Sequence, residues 1–365
     1  MGRSFGWARR VAPLVAAACL ALTTSGCKSV LKKLKKTGDA DAGDFTSTST
    51  STSLGDELAD EQLQKKLDEY IKCLNALASP IHQSRQRYLR YVPRTGPTGN
   101  EQYADLYRLP VAATATCSAG VARAKNMPPS NPQLENAGAE FSLAATEIDR
   151  LINEADTYYE LKLFKSDKWA KGKAMHPRLM AAFDRFSKAD KDLHDTLDGI
   201  TKPLAQRVLA RIERDEGKRF RYWRRKVLIT ARELVEASDP IGEDDDIDFD
   251  RYGAAYTEFE KSLDELQEYG SMNRAELNDQ RRAPNWPRAA SNYDAFVKEA
   301  GDFKKAAKEF WRCLRDAPPS AKTPSGKIDL DKLDKCGTVE AWKTADEVIK
   351  QFNEFIRTSN NHFFP

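Results

Sequence analysis

The chain has 365 residues and a formal charge of +3, and that small positive excess is unevenly placed. Residues 1–26 carry three arginines and no acid, and residues 28–36 carry five lysines and no acid, so the remainder stands at −5. A body without basic excess argues against nucleic acid as a partner, and four histidines leave little for general-base chemistry.

At the N-terminus, Arg3, Arg9 and Arg10 precede the uncharged run VAPLVAAACLALTTSG. That run is too short to span a hydrocarbon core of roughly 30 Å. A basic start, a short apolar stretch and small residues before a boundary describe an export signal over residues 1–26. Ser25 and Gly26 stand directly before Cys27, which resembles the lipobox of bacterial lipoproteins, with Thr24 where that family usually carries Leu. The resemblance implies that Cys27 is acylated, becomes the first residue of the mature chain and attaches it to a membrane of the cell envelope. Lys28, rather than Asp, then implies the outer membrane facing the periplasm if the source has two membranes.

The stretch KSVLKKLKK suits anionic headgroups, each lysine giving about 1 kcal/mol near such a surface. TGDADAGDFTSTSTSTSLGD follows, and it lacks the apolar surface that would offset ordering entropy. Residues 27–54 are therefore expected to be a lipidated cysteine, a basic tether and a flexible Ser/Thr-rich linker.

Residues 55–365 are expected to be all-α, an elongated helical bundle of about seven or eight helices with no sheet, as one domain or two stacked sub-bundles. The warrant is period. Leu63, Leu67, Tyr70, Leu74, Leu77 and Ile81 step by fours and threes. So do Tyr252, Tyr256, Phe259, Leu263 and Leu266, then Tyr293, Phe296, Ala300, Phe303, Ala307, Phe310 and Leu314, then Trp342, Ala345, Ile349, Phe352 and Ile356. One apolar stripe per helix is the pattern of near-antiparallel packing.

Boundary signals accompany the stripes. Pro80 falls inside the first periodic pattern, where a kink rather than a stop is expected, and Pro93 and Pro97 end that helix. Asn131 before Pro132 reads as a cap and a first-turn proline. His176–Pro177 and Thr201–Lys202–Pro203 read as two further starts, and Ser291 with Asp294 as a capping box. GKRFRYWRRK (217–226) reads as an amphipathic helix with its long basic side chains solvated on one face. IGEDDDIDFD (241–250) and PPSAKTPSGKIDL (318–330) read as loops. The last acids of 241–250 are expected to face the positive end of the next helix.

Cys19 leaves with the signal, so Cys73, Cys117, Cys313 and Cys336 remain, an even number for an oxidising compartment. Of the three connectivities, Cys73–Cys117 and Cys313–Cys336 are favoured as nearest in sequence, each joining a helix to the segment after it. There is no CxxC, and no histidine lies near a cysteine, so no metal site is expected.

The segment NEADTYYELKLFKSDKWAKGKAMHPRLMAAFDRFSKAD (153–190) is the most distinctive in the chain. With YIKCLNALASPIHQSRQRYLRYV (70–92) and NYDAFVKEAGDFKKAAKEFWRCLRD (292–316), it resembles the YiiG-like family of bacterial lipoproteins, over about residues 57–360. The resemblance implies an exported helical protein. It brings no agreed activity, and so no catalytic residue.

Read physically, the same segment offers Tyr158, Tyr159, Asp167, Lys168, Trp169 and His176 as a candidate site for an anionic or sugar-like ligand. The competing expectation is a helix-to-helix turn with amphipathic core tyrosines and a capping histidine. The acidic run Glu243, Asp244, Asp245, Asp246, Asp248 and Asp250 lacks the glycine and the glutamate of a calcium loop. Ser325–Gly326–Lys327 lacks a phosphate-cradling loop, and no hydrolase motif occurs. The expected function is a non-enzymatic envelope module that binds another protein or a glycan and needs no cofactor. Small-molecule binding and an unrecognised envelope hydrolase stand behind it.

Overall fold

The computed structural model describes residues 48–238, 246–278, 288–330 and 332–364, with side chains from Gly55 onward apart from Trp342. The export signal, Cys27, the basic tether and Glu243, Asp244 and Asp245 lie outside the described residues. The chain divides into two compact units, one running to Lys202 and the other from Pro203.

In the first unit, α1 (Thr48–Tyr91) is already helical in backbone within the segment expected to be linker through residue 54. Leu67, Tyr70, Leu74, Leu77 and Ile81 are buried, and the helix continues through Pro80. α2 (Ala113–Lys125) buries Cys117, Gly120, Val121 and Ala124. Those small residues admit a close approach to α1, and Cys73 and Cys117 have Cα atoms 4.5 Å apart and sulfurs in bonding contact. α3 (Pro132–Glu160) starts as its cap predicts: the Asn131 side chain accepts from the Leu134 amide at 3.1 Å. The Glu135 carboxylate answers by accepting from the Asn131 amide at 2.9 Å. α3 packs against both α1 and α2.

A single-turn helix, α4 (Phe164–Asp167), leads into α5 (Ala170–Glu216), 47 residues in one piece. The helix starts expected at His176–Pro177 and Thr201–Pro203 do not occur; both prolines are interior. The reason is the stripe itself. Met175, Leu179, Phe183, Phe186, Asp190, Leu193, Leu197, Thr201, Leu204, Val208 and Ile212 hold the helical period across both prolines and are all buried. Burial along one face outweighs a missing backbone donor. Pro177 and Pro203 are the signals that suggested two starts inside this one helix.

The second unit contains the end of α5, α6 (Phe220–Ala237), α7 (Phe249–Met272), the short α8 (Arg274–Asn278), α9 (Ala289–Arg315) and α10 (Ala341–Asn361). α6 and α9 each pack on both α7 and α10. The core is aromatic: Tyr252, Phe259, Phe296, Phe303, Phe310, Phe352 and Phe355 are fully or nearly buried. Asp248 caps α7 by accepting from the Arg251 amide at 2.9 Å, so the last acids of that loop serve the helix terminus. The capping box at Ser291 is not formed. α9 begins at Ala289, the Ser291 hydroxyl donates to the Arg288 carbonyl, and Asp294 pairs with Arg274.

The solvated basic face expected for α6 is also overturned, because Arg224, Arg225 and Arg232 are buried. Arg224 donates to the Ser359 carbonyl at 2.7 Å, at the last turn of α10, where a cation is favoured. Phe296, Phe363 and Phe364 surround its guanidinium at 5.5–5.7 Å. Burial, with Arg225 adding to it, pushes the Arg224 pKa down to about 9.

The molecule is all-α in class, with two corrections. Ten helices, rather than seven or eight, occur among the described residues, the excess being single turns such as α4 and α8. There are also two antiparallel strand pairs: β1 (Asp246–Ile247) with β2 (Ile328–Asp329), and β3 (Lys335–Cys336) with β4 (Val339–Glu340). Two-residue strands are too short to show an alternating pattern. The β3–β4 turn places Cys336 beside α9, with its Cα 5.0 Å from that of Cys313 and the sulfurs in bonding contact. No helix among the described residues is long and apolar enough to cross a membrane.

Candidate functional site

Tyr158 and Tyr159 close α3, Asp167 ends α4, Lys168 and Trp169 form the link to α5, and His176 lies in the second turn of α5. Five of these six residues do come together. Tyr158, Tyr159, Trp169 and His176 are buried and Asp167 is half-buried, whereas Lys168 is exposed. The Trp169 ring sits 4.5 Å from Phe164 and 5.6 Å from Tyr159, and Tyr159 lies 6.0 Å from Tyr88 of α1. Gly172 makes room for this. A Cβ there would stand 3.2 Å from both the Trp169 ring and the Tyr159 hydroxyl.

The polar atoms are largely spent on one another. The Tyr158 hydroxyl donates to Asp167 Oδ1 at 2.8 Å, and the Lys171 amide donates to Asp167 Oδ2 at 3.0 Å. Burial would raise the Asp167 pKa, but these hydrogen bonds prevail and hold it below the ordinary carboxylate value. His176 Nε2 lies 2.9 Å from the Arg94 carbonyl, which can only accept, so that nitrogen carries the proton. In the neutral ring Nδ1 is then the acceptor for the Tyr88 hydroxyl, also at 2.9 Å. Burial pushes the Tyr88 pKa up to about 12. Burial and the neighbouring Tyr88 raise that of Tyr159 as well. The arrangement locks the 93–96 loop, α1, α3 and α5 together through a hydrogen-bonded aromatic box. His176 serves as a bridge inside a helix, not as a cap.

Two buried charged clusters escaped the sequence reading. Asp190 Oδ2 meets His82 Nε2 at 2.8 Å, and Asp190 Oδ1 meets His194 Nδ1 at 3.3 Å. Burial acts to raise the Asp190 pKa, and the His194 and His82 hydrogen bonds overcome it and hold it below the carboxylate range. The signal available was Asp190 four residues before His194. His82, 108 residues away, carried none. In the other cluster the Lys66 ammonium donates to the Met127 carbonyl at 3.0 Å, the Pro129 carbonyl at 2.9 Å and Glu135 at 2.5 Å. Lys66 is fully buried, as a pin between α1 and the turn before α3. Among the described residues no three His, Cys, Asp or Glu side chains stand as a set of metal ligands.

In the second unit a hollow with about 320 Å3 of room lies against Cys313 and Cys336, with Arg312, Asp316, Lys335 and Thr344 on its walls. Its charges are of both signs.

Comparison with known proteins gives a relationship without an activity. No solved structure matches the chain. The uncharacterized protein YiiG of Escherichia coli (strain K12) is 27% identical over 312 residues, covering 83% of this chain and 81% of YiiG. A family described as proteins of unknown function, DUF3829, matches residues 61–361, which takes in both units and both cysteine pairs. The chain therefore belongs to the DUF3829 family, over residues 61–361, and is YiiG-like in sequence.

Proposed function

We propose that this is an exported protein held at an envelope membrane by acyl chains on Cys27, whose helical body binds another envelope macromolecule, a protein or a glycan, without catalysing a reaction. The observation that carries the reading is the N-terminal order of basic residues, short apolar run and Ser25–Gly26–Cys27. The paired cysteines support it. Both pairs stand in bonding contact, which suits an oxidising compartment outside the cytosol. With two membranes in the source, Lys28 favours the outer one, facing the periplasm. Two or three acyl chains suffice for lasting attachment, at about 0.8 kcal/mol per buried CH2.

The aromatic box favours a binding body over a ligand pocket at Tyr158, Tyr159, Asp167, Trp169 and His176, because these side chains are packed on one another. Lys168 is the exposed member of the set. The test is mass spectrometry of the N-terminal peptide from native cells, beside a Cys27→Ser variant. The expected product begins at Cys27 and carries diacylglycerol, and the variant is left uncleaved and unacylated. Recovery of an unmodified Met1 peptide would reject the reading. Crosslinking in intact envelopes tests the binding role separately. One reproducible adduct is expected, and its absence across several crosslinker chemistries counts against a macromolecular partner.

A further inference from the structure

The turn that joins α3 to α5 presents a combination of residues that its structural role does not need. Leu161 and Leu163 are 63% and 43% exposed, while Phe164 between them and α5 is buried. Lys162, Lys165 and Lys168 alternate with them and are exposed, and Lys173 follows on the first turns of α5. None of these four lysines is in an ion pair among the described residues. The neighbouring acids are occupied: Glu160 pairs with Arg108, and Asp167 with the Tyr158 hydroxyl and the Lys171 amide. The lysine charge is therefore left facing solvent.

The backbone adds a second observation. Lys162, Lys168 and Trp169 have φ of 54°, 52° and 67°, the left-handed region. A turn that only had to reverse the chain would take glycine or asparagine at such positions. Here two of the three are lysines. Directly beneath, Tyr158, Tyr159, Phe164 and Trp169 pack at ring distances of 4.5–6.5 Å and hold the turn in one shape. The leucines and lysines are thus displayed from a rigid base, and little ordering remains to be done when they meet a surface.

We propose that residues 161–168 form a membrane-contact tip that recognises anionic lipid. The leucines enter the boundary of the acyl region while Lys162, Lys165 and Lys168 meet the headgroup charges. An apolar layer directly under an anionic one is the chemistry that interleaved Leu and Lys fit. An acidic protein surface would satisfy the lysines and leave the leucines wet. The inference goes beyond the acyl anchor and does not depend on it, since it rests on residues more than a hundred positions from Cys27 in sequence.

The experiment uses the full chain with Leu161→Trp, an apolar exchange at an exposed position, whose fold is checked by far-ultraviolet circular dichroism. It is mixed with vesicles of brominated phosphatidylcholine, alone or with phosphatidylglycerol, and quenching is compared with that of the unsubstituted protein. Extra quenching at position 161 is expected only when phosphatidylglycerol is present, and it should fade as salt is raised. Lys162→Glu, Lys165→Glu and Lys168→Glu together should weaken it by roughly tenfold or more. Flotation read in parallel on vesicles of phosphatidylcholine alone, which offer the tip no anionic headgroup, reports the Cys27 anchor by itself. Flotation without extra quenching overturns the tip and leaves the anchor standing. Quenching that is equal on both vesicle types, or indifferent to the lysine reversals, also overturns it, as does the absence of both flotation and quenching.

Discussion

Asp190 is the residue whose environment makes the sharpest demand. A carboxylate buried in a helix stripe is costly unless its charge is matched and hydrogen-bonded. His82 of α1 hydrogen-bonds one carboxylate oxygen at 2.8 Å, and His194 of α5 stands 3.3 Å from the other. Because its folded pKa is depressed, the contribution of Asp190 to stability is complete above the unfolded value near 3.9 and is lost as pH falls through the folded value. Asp190→Asn should lower stability by about 2 kcal/mol near neutral pH. Urea denaturation of both proteins should show that gap closing below about pH 4. A gap that is the same at acid and neutral pH would mean that the carboxylate is not the group responsible. At this scale the sequence was partly legible. Most apolar members of each stripe from Leu67 to Ile356 are buried as their period requires, the exception among the described side chains being Ile349, which is half-buried while its neighbour Val348 is fully buried. Lys66, Asp190 and Arg224 were not legible, because a buried charge is recognised by its partner: Lys66 and Arg224 are held by distant backbone carbonyls, and His82 lies 108 residues from Asp190.

Between elements, the controlling quantity is how closely two helices pass. α3 crosses α1 with Gly138 against the Tyr70 ring, and a Cβ at Gly138 would overlap that ring. Gly270 of α7 receives the Tyr293 hydroxyl of α9 in the same way. Both glycines sit inside helices, where alanine is intrinsically better by about 1 kcal/mol. Overpacking should win nonetheless: Gly138→Ala is expected to cost about 1–3 kcal/mol net. Gly301 of α9 is the contrast, since a Cβ there meets nothing within 4 Å. Gly301→Ala should therefore stabilise by up to about 1 kcal/mol. Thermal melts of the two variants with opposite signs would bear this out, and two changes of the same sign would reject it. The element scale is also where the reading of Pro177 and Pro203 failed. A proline is a strong local signal, but the buried stripe of α5 is longer than the window in which that signal dominates. Asn131–Pro132 succeeded because the cap hydrogen bond and the proline lie in the same turn and need no tertiary help.

For the molecule as a whole, the two cysteine pairs divide the labour of holding loops. Cys73–Cys117 closes 44 residues of the first unit and ties α2, a helix of small residues with little apolar surface of its own, to α1. Cys313–Cys336 closes 23 residues of the second unit and ties the β3–β4 turn to α9. Chain-entropy reasoning gives about 4 and 3 kcal/mol for loops of these lengths. The second figure stabilises a turn at the edge of a core that α9 already makes with α7 and α10. The first secures a helix whose buried face is only Cys117, Gly120, Val121 and Ala124. Loss of the first pair should therefore detach structure, whereas loss of the second should mainly loosen a turn. Cys73→Ser with Cys117→Ser is expected to lower the urea midpoint and to speed amide exchange throughout residues 113–125. Cys313→Ser with Cys336→Ser should confine faster exchange to residues 319–340. Equal exchange in α2 with and without its bond would show that its packing on α1 and α3 suffices. The disulfide would then mark the compartment in which the protein folds rather than the source of its stability.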